Sequence, residues 1–329
     1  MVSESSIVSV IIVNYCRRDF LKSCLQSVVL QTYQPLEIIV VDNASEDDSV
    51  TMVKSDFPVV ALIENSENRY FAGAHNQGIR FSKGEWILCL NNDVVLEDNL
   101  LRLLLEKKDF DPRVGILGGK TLRMDKKTID TAGLFLDRSR KPLDRGYAEK
   151  DSGQYEHEAY VFGIGGPAVL FRRKMLEDIS MDGEYFDEDF KVFYEDLDLC
   201  WRAHRFGWKA YYVPKAIAYH KRGATTQKGT AAPRLFKKFS LPLLSHELQA
   251  HLVKNRYATV IKNDTALQLL ANSLFILSYD IRLWAYLVFF APKTIGIFFR
   301  YRSIFKKSFQ KRIGIRKRLR QRGVTHDLP

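Results

Sequence analysis

The feature that most constrains this chain is a recurrence in its first hundred residues. Four apolar, largely β-branched runs, Ile7 to Val13, Leu36 to Val41, Val59 to Ile63 and Trp86 to Leu90, are separated by stretches with helical spacing at 19–31, 46–55 and 72–82. Uninterrupted apolar runs suit parallel strands buried on both faces, because an apolar/polar alternation is expected only where one face meets water. The series reads βαβαβαβ. Right-handed crossovers turn such a series into an open, doubly wound sheet that binds ligands outside the carboxyl ends of its strands. Ser45, followed by Asp47 and Asp48, is expected to cap the second helix and supply its first-turn acids.

From about 113 to 171 the pattern changes to short segments punctuated by Gly118-Gly119, Gly133, Gly146, Gly153, Gly163 and Gly165-Gly166. These predict a hairpin insertion and then a strand, forming a second wall of a cleft. Residues 196–206 predict a helix stopped by Gly207, and 209–220 predict two short strands around Pro214. From Leu241 the chain is helical and apolar as far as Phe299. The expected organisation is an α/β domain over 1–240, in two halves at about 1–112 and 113–240. A helical, aromatic and polybasic region follows over 241–329.

The formal net charge of +11 looks global, yet eleven basic side chains and no acid lie between Arg300 and Arg322. The remainder is neutral, so the basicity belongs to the C-terminal segment and is not the all-over charge of a polyanion-tracking domain. The N-terminus has no basic n-region, long apolar run or small-residue cleavage site, and predicts no export. Cys16, Cys24, Cys89 and Cys200 lack the paired spacings of a zinc site, and three of them sit in apolar patterns. A reducing cytosol is the expectation.

Two polar clusters leave adjacent apolar strands. Asp42 follows Ile38 to Val41, and Asn91-Asn92-Asp93 follows Ile87 to Leu90. Aspartates in such places are often only turn or cap residues. Two on one sheet edge suggest instead a carboxylate holding a divalent cation, which takes one or two protein ligands and completes its shell with diphosphate and water. The first turn, Asn14-Tyr15-Cys16-Arg17-Arg18, has no glycine, which argues against a dehydrogenase or a P-loop ATPase. Glu195, Asp196 and Asp198 open a predicted helix. The helix dipole and an Asp198 to Arg202 pair at i,i+4 explain part of this cluster. Glu195 and Asp196 directly after Phe190, Phe193 and Tyr194 read differently: aromatic walls raise the proton affinity of a carboxylate, as suits a general base. His220, at the end of the run Ala216 to Tyr219, reads as structural or surface on its own.

In order along residues 7–223, the stretches Val8 to Tyr15, Glu37 to Ser45, Asn68 through Asn76-Gln77-Gly78, Leu90 to Asp93, Phe193 through Arg202 and Gly207-Trp208 resemble a family 2 glycosyltransferase of the GT-A fold. A few loops further resemble bacterial rhamnosyltransferases of surface-polysaccharide assembly. The resemblance implies that Val13, Asn14, Tyr15, Asp42 and Asn43 cradle the base and ribose of a nucleotide sugar. It places Asn68 and Asn76 near the phosphates and Asn92 toward the ribose or sugar. The family's acidic triplet stands here as Asn91-Asn92-Asp93, so Asp93 becomes the main ligand for Mg2+ or Mn2+, and His220 matches a histidine that completes the metal shell in some members. Asp196 matches the catalytic base with Glu195 orienting it, and Gly165, Gly166 and Trp201 fall on the acceptor side.

The implied activity is inverting transfer, with rhamnose from dTDP-rhamnose as donor and a lipid-linked or glycan acceptor. A UDP-dependent galactofuranosyl or glucosyl transferase is the alternative, and so is a weakly active nucleotide-sugar or membrane scaffold. Residues 265–279 are free of charge, and Asp280 and Arg282 separate them from 283–292, so neither run has the roughly twenty residues of a membrane span. Aromatic helices followed by a polybasic segment predict instead a peripheral hold on an anionic membrane through residues 265–322, on the cytoplasmic face. Nucleic acid is not an expected partner, because no recognition fold accompanies the tail.

Overall fold

In the computed structural model, which describes residues 6–221, 241 and 244–323, the four apolar runs form parallel strands. β1 (Val8–Asn14), β2 (Leu36–Asp42), β3 (Ala61–Glu64) and β4 (Trp86–Asn91) alternate with α1 (Arg18–Val29), α2 (Ser49–Asp56) and α3 (Tyr70–Phe81). Across the sheet the order is β3, β2, β1, β4, so the chain runs out on one side of β1 and returns on the other. Such a reversal opens a crevice at the carboxyl edge. The register lines it with polar groups, pairing Asn14 with Asp42 and Val13 with Asn91. Arg222 and Gly223, which close the stretch of family resemblance, lie outside the described residues.

The second half extends the sheet. β5 (Val94–Leu96), α4 (Leu100–Leu105), β6 (Val114–Arg123), β7 (Ile129–Thr131), β8 (Leu134–Leu136), β9 (Pro142–Asp144), β10 (Ala159–Val161), β11 (Ala168–Arg172), α5 (Arg173–Ile179), α6 (Glu195–Arg205) and β12 (Lys209–His220) follow in order. β11 lies antiparallel between β4 and β6, β12 runs parallel to β6, and β8 and β9 form the hairpin of the inserted region. Where two strands were expected around Pro214 there is one. Its pairing with β6 slips between Val213 and Ile217, because Pro214 has no N–H for the ladder. Gly119 admits the slip: a Cβ there would lie 1.7 Å from the Ala216 carbonyl oxygen.

Alternate side chains feed two cores. Val8, Val10, Ile12 and Val40 pack with α1, α2 and α4, while Ile11, Ile39 and Val41 pack with α3, α5 and α6. Burial on both faces explains why the strands read as continuous apolar runs.

The C-terminal region comprises α7 (His246–Asn263), α8 (Ala266–Ala271), α9 (Ser273–Phe290), α10 (Pro292–Arg300) and α11 (Ser303–Gln321). α7 is tied to the sheet half by buried charge: Lys262 pairs with Asp187 and, at 2.8 Å, with Asp198, whose other oxygen accepts from Asn263 at 2.6 Å. The polybasic tail is a helix strapped back onto that half. Lys311 lies 2.6 Å from Asp187 and 3.1 Å from Asp189, Arg318 donates to the Asp178 carbonyl at 2.5 Å, and Arg322 pairs with the Asp178 carboxylate. A good part of its charge is therefore spent inside the molecule.

Asp280 and Arg282 do not divide the apolar region, since both fall within α9. Arg256 of α7 meets Asp280 at 3.0 Å, so the acid is matched where it is covered. By length and composition alone α9, at 18 residues, is long and apolar enough to cross a membrane, and 22% of it is buried within the protein.

Candidate active site

Asp42, at the end of β2, is 2% exposed and accepts three hydrogen bonds, which leaves the carboxylate acceptor capacity to spare. Its Oδ2 accepts from Asn14 Nδ2 at 3.0 Å and the Ser45 hydroxyl at 2.7 Å, and its Oδ1 accepts from the Ser45 amide at 2.8 Å. Ser45 therefore braces Asp42 instead of capping α2, where Asp48 holds the cap position without a side-chain bond. Asn92 donates to Asn14 Oδ1 at 2.7 Å, so one relay joins the ends of β4, β1 and β2. Asn43 donates to the Tyr70 carbonyl at 3.2 Å and accepts from Asn65 at 3.1 Å, while Asn68 accepts from the Tyr70 amide at 2.8 Å. Val13 is half-buried and Tyr15 exposed at the mouth.

Asn76 is placed elsewhere. It is fully buried, accepting from the Tyr185 and Phe186 amides and donating to the Phe186 carbonyl and Glu188 Oε1. With its amide fully committed it holds the 185–188 loop and has nothing left for phosphate. Trp201 is also nearly buried, on α6, and lines a separate cavity of about 190 Å3 with Arg140, Phe162 and His204.

β12 delivers the third group. His220 pairs in register with Val94 of β5, which sets its ring beside Asp93. Its Nε2 lies 3.4 Å from Asp93 Oδ1 and its Nδ1 2.8 Å from Asp130 Oδ2. Burial works against a charged ring, but the two carboxylates outweigh it and raise the pKa to about 9. An imidazole backed by a carboxylate with its other nitrogen turned to a second carboxylate is a donor set that fits a divalent cation. No group of three or more such ligands occurs among the described residues, so the remaining positions would fall to diphosphate and water. Asp130 lies in the short strand β7, where no motif or periodicity singles it out.

Across the crevice stands the start of α6. Three residues before it adopt left-handed backbone, Lys191 (φ 62), Phe193 (φ 67) and Tyr194 (φ 72), a conformation unfavourable for side chains other than glycine. α7 holds this segment: the Asn255 amide donates to the carbonyls of Phe190 (2.9 Å), Val192 (2.7 Å) and Phe193 (2.8 Å). Sequence periodicity could not find Asn255, because the face of α7 that is buried includes Lys254, Asn255, Arg256, Thr259, Lys262 and Asn263.

The segment projects Glu195 and Asp196 toward the loop before β11. Asp196 accepts from the Gly166 amide at 3.2 Å and the Leu197 amide at 2.7 Å. A Cβ at Gly165 would lie 2.9 Å from Asp196 Oδ2, so glycine is what lets the carboxylate approach. The Asn91 amide donates to the Pro167 carbonyl at 2.8 Å, which sets this loop against the strand end carrying Asn92 and Asp93. Burial raises the pKa of Asp196, and burial together with the neighbouring Asp196 charge raises that of Glu195 to about 8. Glu195 Oε2 is sealed from water with no hydrogen-bond partner. Asp198, one turn on, pairs with Arg202 at 3.0 Å as its spacing predicts, and serves the core.

The sheet with its crevice at the switch point has the GT-A fold, with a carboxylate and imidazole at one strand end and a raised carboxyl pair at the start of α6. The chain belongs to glycosyl transferase family 2, whose pattern it matches over residues 9–180. It is 24% identical over 230 residues to the poly-beta-1,6-N-acetyl-D-glucosamine synthase of Staphylococcus aureus (strain MSSA476), covering 66% of this chain and 50% of that protein. The Staphylococcus epidermidis enzyme of the same name is 25% identical over 64% of this chain and 49% of its own. The chain thus spans about half the length of the curated relatives it matches. Among solved structures, Staphylococcus aureus TarS 1-349 in complex with UDP-GlcNAc superposes with TM-score 0.58 and 13% identity, over 92% of this chain and 81% of that one. The mannosyltransferase PcManGT from Pyrobaculum calidifontis in complex with GDP-Man and Mn2+ gives 0.54 and 17%, over 97% and 87%. Both likenesses are of fold.

Proposed function

We propose that this protein is an inverting glycosyltransferase of cell-envelope polysaccharide synthesis, moving one sugar from a nucleotide diphosphate donor to a glycan or lipid-linked acceptor. The observation that carries the reading is Asp196, half-buried at the start of α6 and bonded to Gly166, in the loop whose Pro167 carbonyl accepts from the Asn91 amide next to Asn92 and Asp93. Asn14, Tyr15, Asp42 and Asn43 would receive the nucleoside, with Val13 and Asn68 at the mouth and Asn92 toward the sugar. Asp196 takes the proton of the acceptor hydroxyl as its oxygen bonds to the anomeric carbon from the face opposite the diphosphate. The bond from that carbon to the diphosphate oxygen breaks, and configuration inverts. Glu195, held neutral below about pH 8, adds no second negative charge beside the base. Mg2+ or Mn2+ on Asp93 and His220 would neutralise charge on the departing diphosphate.

For the donor, the loop resemblance supports dTDP-rhamnose. The relatives favour a second reading, a UDP-sugar, because TarS was solved with UDP-GlcNAc and the staphylococcal synthases are named for N-acetylglucosamine. Placement at a membrane surface is supported by the exposed apolar surface of α9. Asp196→Asn should abolish transfer while leaving donor affinity within a few-fold, since the change removes only the proton acceptor. Unchanged turnover in that variant would remove Asp196 from the role. A thermal-shift panel of dTDP-, UDP- and GDP-sugars with Mn2+ decides the donor.

A further inference from the structure

A cavity of about 690 Å3 opens between the turn joining β8 to β9 and one side of α9. Arg138, Ser139 and Lys141 line one wall and Ser278 and Arg282 the other, over a floor that includes Leu274 and Phe275. The Arg138 guanidinium sits 3.9 Å above the Phe275 ring and gives one N–H to Asn272. Neither Arg138 nor Arg282 has a carboxylate partner among the described residues. Asp137, the one acid among the described residues lining the cavity, accepts on Oδ1 from the Ser139 hydroxyl and the Lys141 amide.

Beside the cavity, α8 and α9 present Leu267, Leu270, Leu274, Leu277, Ile281 and Phe289 to the outside, from 58% to 80% exposed. Several follow the three-and-four spacing of a coiled-coil seam, but the exposed face is wider than such a seam, and Ala271, Ser278 and Ala285 stand where flanking charges would fix a partner helix. An apolar face with guanidinium groups at its border fits a lipid surface: chains along the helix, phosphate at the rim.

We propose that this cavity seats the phosphate of an anionic membrane lipid, received by Arg138 and Arg282 with the Ser278 hydroxyl, its acyl chains lying on α8 and α9. This deepens the membrane placement proposed above and moves its electrostatic centre from α11, whose charge is partly spent on Asp178, Asp187 and Asp189, to the β8–β9 turn. The seat adjoins the active site along the hairpin, for Leu134 at the start of β8 comes within 3.4 Å of a Cβ built at Gly165.

The test is flotation of the full chain with phosphatidylcholine vesicles, with and without phosphatidylglycerol, in the absence of donor. Wild-type protein should float with the anionic vesicles, and the double variant Arg138→Gln, Arg282→Gln should bind about 30-fold more weakly. Lys317→Gln with Arg320→Gln, on the exposed side of α11, should stay within about threefold of wild type by the same reckoning of engaged charges. Arg138→Lys with Arg282→Lys, which keeps charge and loses the planar fork, should fall between, and identical melting curves certify the folds. Undiminished binding by the glutamine pair, loss confined to the α11 pair, or a wild-type chain that ignores vesicles and dimerises would each overturn the proposal. No turnover is read, so loss of the transferase reading would leave this result standing, and the reverse.

Discussion

Glu195 is the residue with the clearest signature in solution. Its pKa stands near 8 in the folded protein against an ordinary value of 4.5, so between those limits the folded state keeps a proton that the unfolded state gives up. Stability attributable to this group is complete below pH 4.5 and is lost as pH rises through 8. Glu195→Gln should flatten that limb of the melting temperature against pH, and an unchanged slope would place the titration elsewhere. Gly165→Ala makes a sharper demand. Its methyl would meet Asp196 Oδ2 at 2.9 Å, so the base must shift. Turnover should fall roughly 10- to 100-fold with donor KM little changed, as for a misplaced catalytic group. The aromatic run before Glu195 announced in sequence that its carboxylates would be perturbed. Asn76 and Ser45 show the limit of such reading: an amide near a motif is free for ligand only if the fold leaves it unspent, and Asn76 is consumed by the 185–188 loop, while Ser45, expected to cap α2, bonds Asp42 instead.

Among the elements, β1, β2 and β4 were legible because burial on both faces leaves an unbroken apolar record, while β3, at the sheet edge, is only half-buried. β12 was not, because Pro214 signals an end where the strand slips register and continues. α7 was legible as a helix and illegible as a support, since its buried face is polar and interacts through hydrogen bonds and charge. Asn255→Ala releases three carbonyls from a segment with three left-handed residues, at a cost of about 1–3 kcal/mol. Turnover should drop more than donor binding, as measured by the separation of kcat from donor KM. Asn255→Asp puts acceptors where donors are needed and should be no better.

For the whole molecule, the charge asymmetry that stands out in composition has become an internal fastening. Lys311 and Lys262 share Asp187, and Lys262 reaches on to Asp198 beside Arg202, so ionic contacts run from α11 to the helix of the base. Lys311→Met should lower stability by about 1–3 kcal/mol, because Asp187 keeps Lys262 but loses its second cation. A chain ending at Phe299 should melt lower still, and equal melting of truncated and full protein would show α11 to be idle. The tail's sequence revealed its charge, and only the fold reveals that acids at 178–189 face it.

The Asn255 clasp also has a consequence for inheritance. The family match ends at residue 180, yet the proposed base lies at 196 and the side chain that holds the segment before it lies at 255. A recombination event, natural or engineered, that joins the sheet half of one relative to the C-terminal region of another exchanges the support of the proposed base together with the helices α8 and α9. Lineages of such proteins should tolerate grafts whose crossover leaves Phe190 and Asn255 on the same parental segment and reject those that part them.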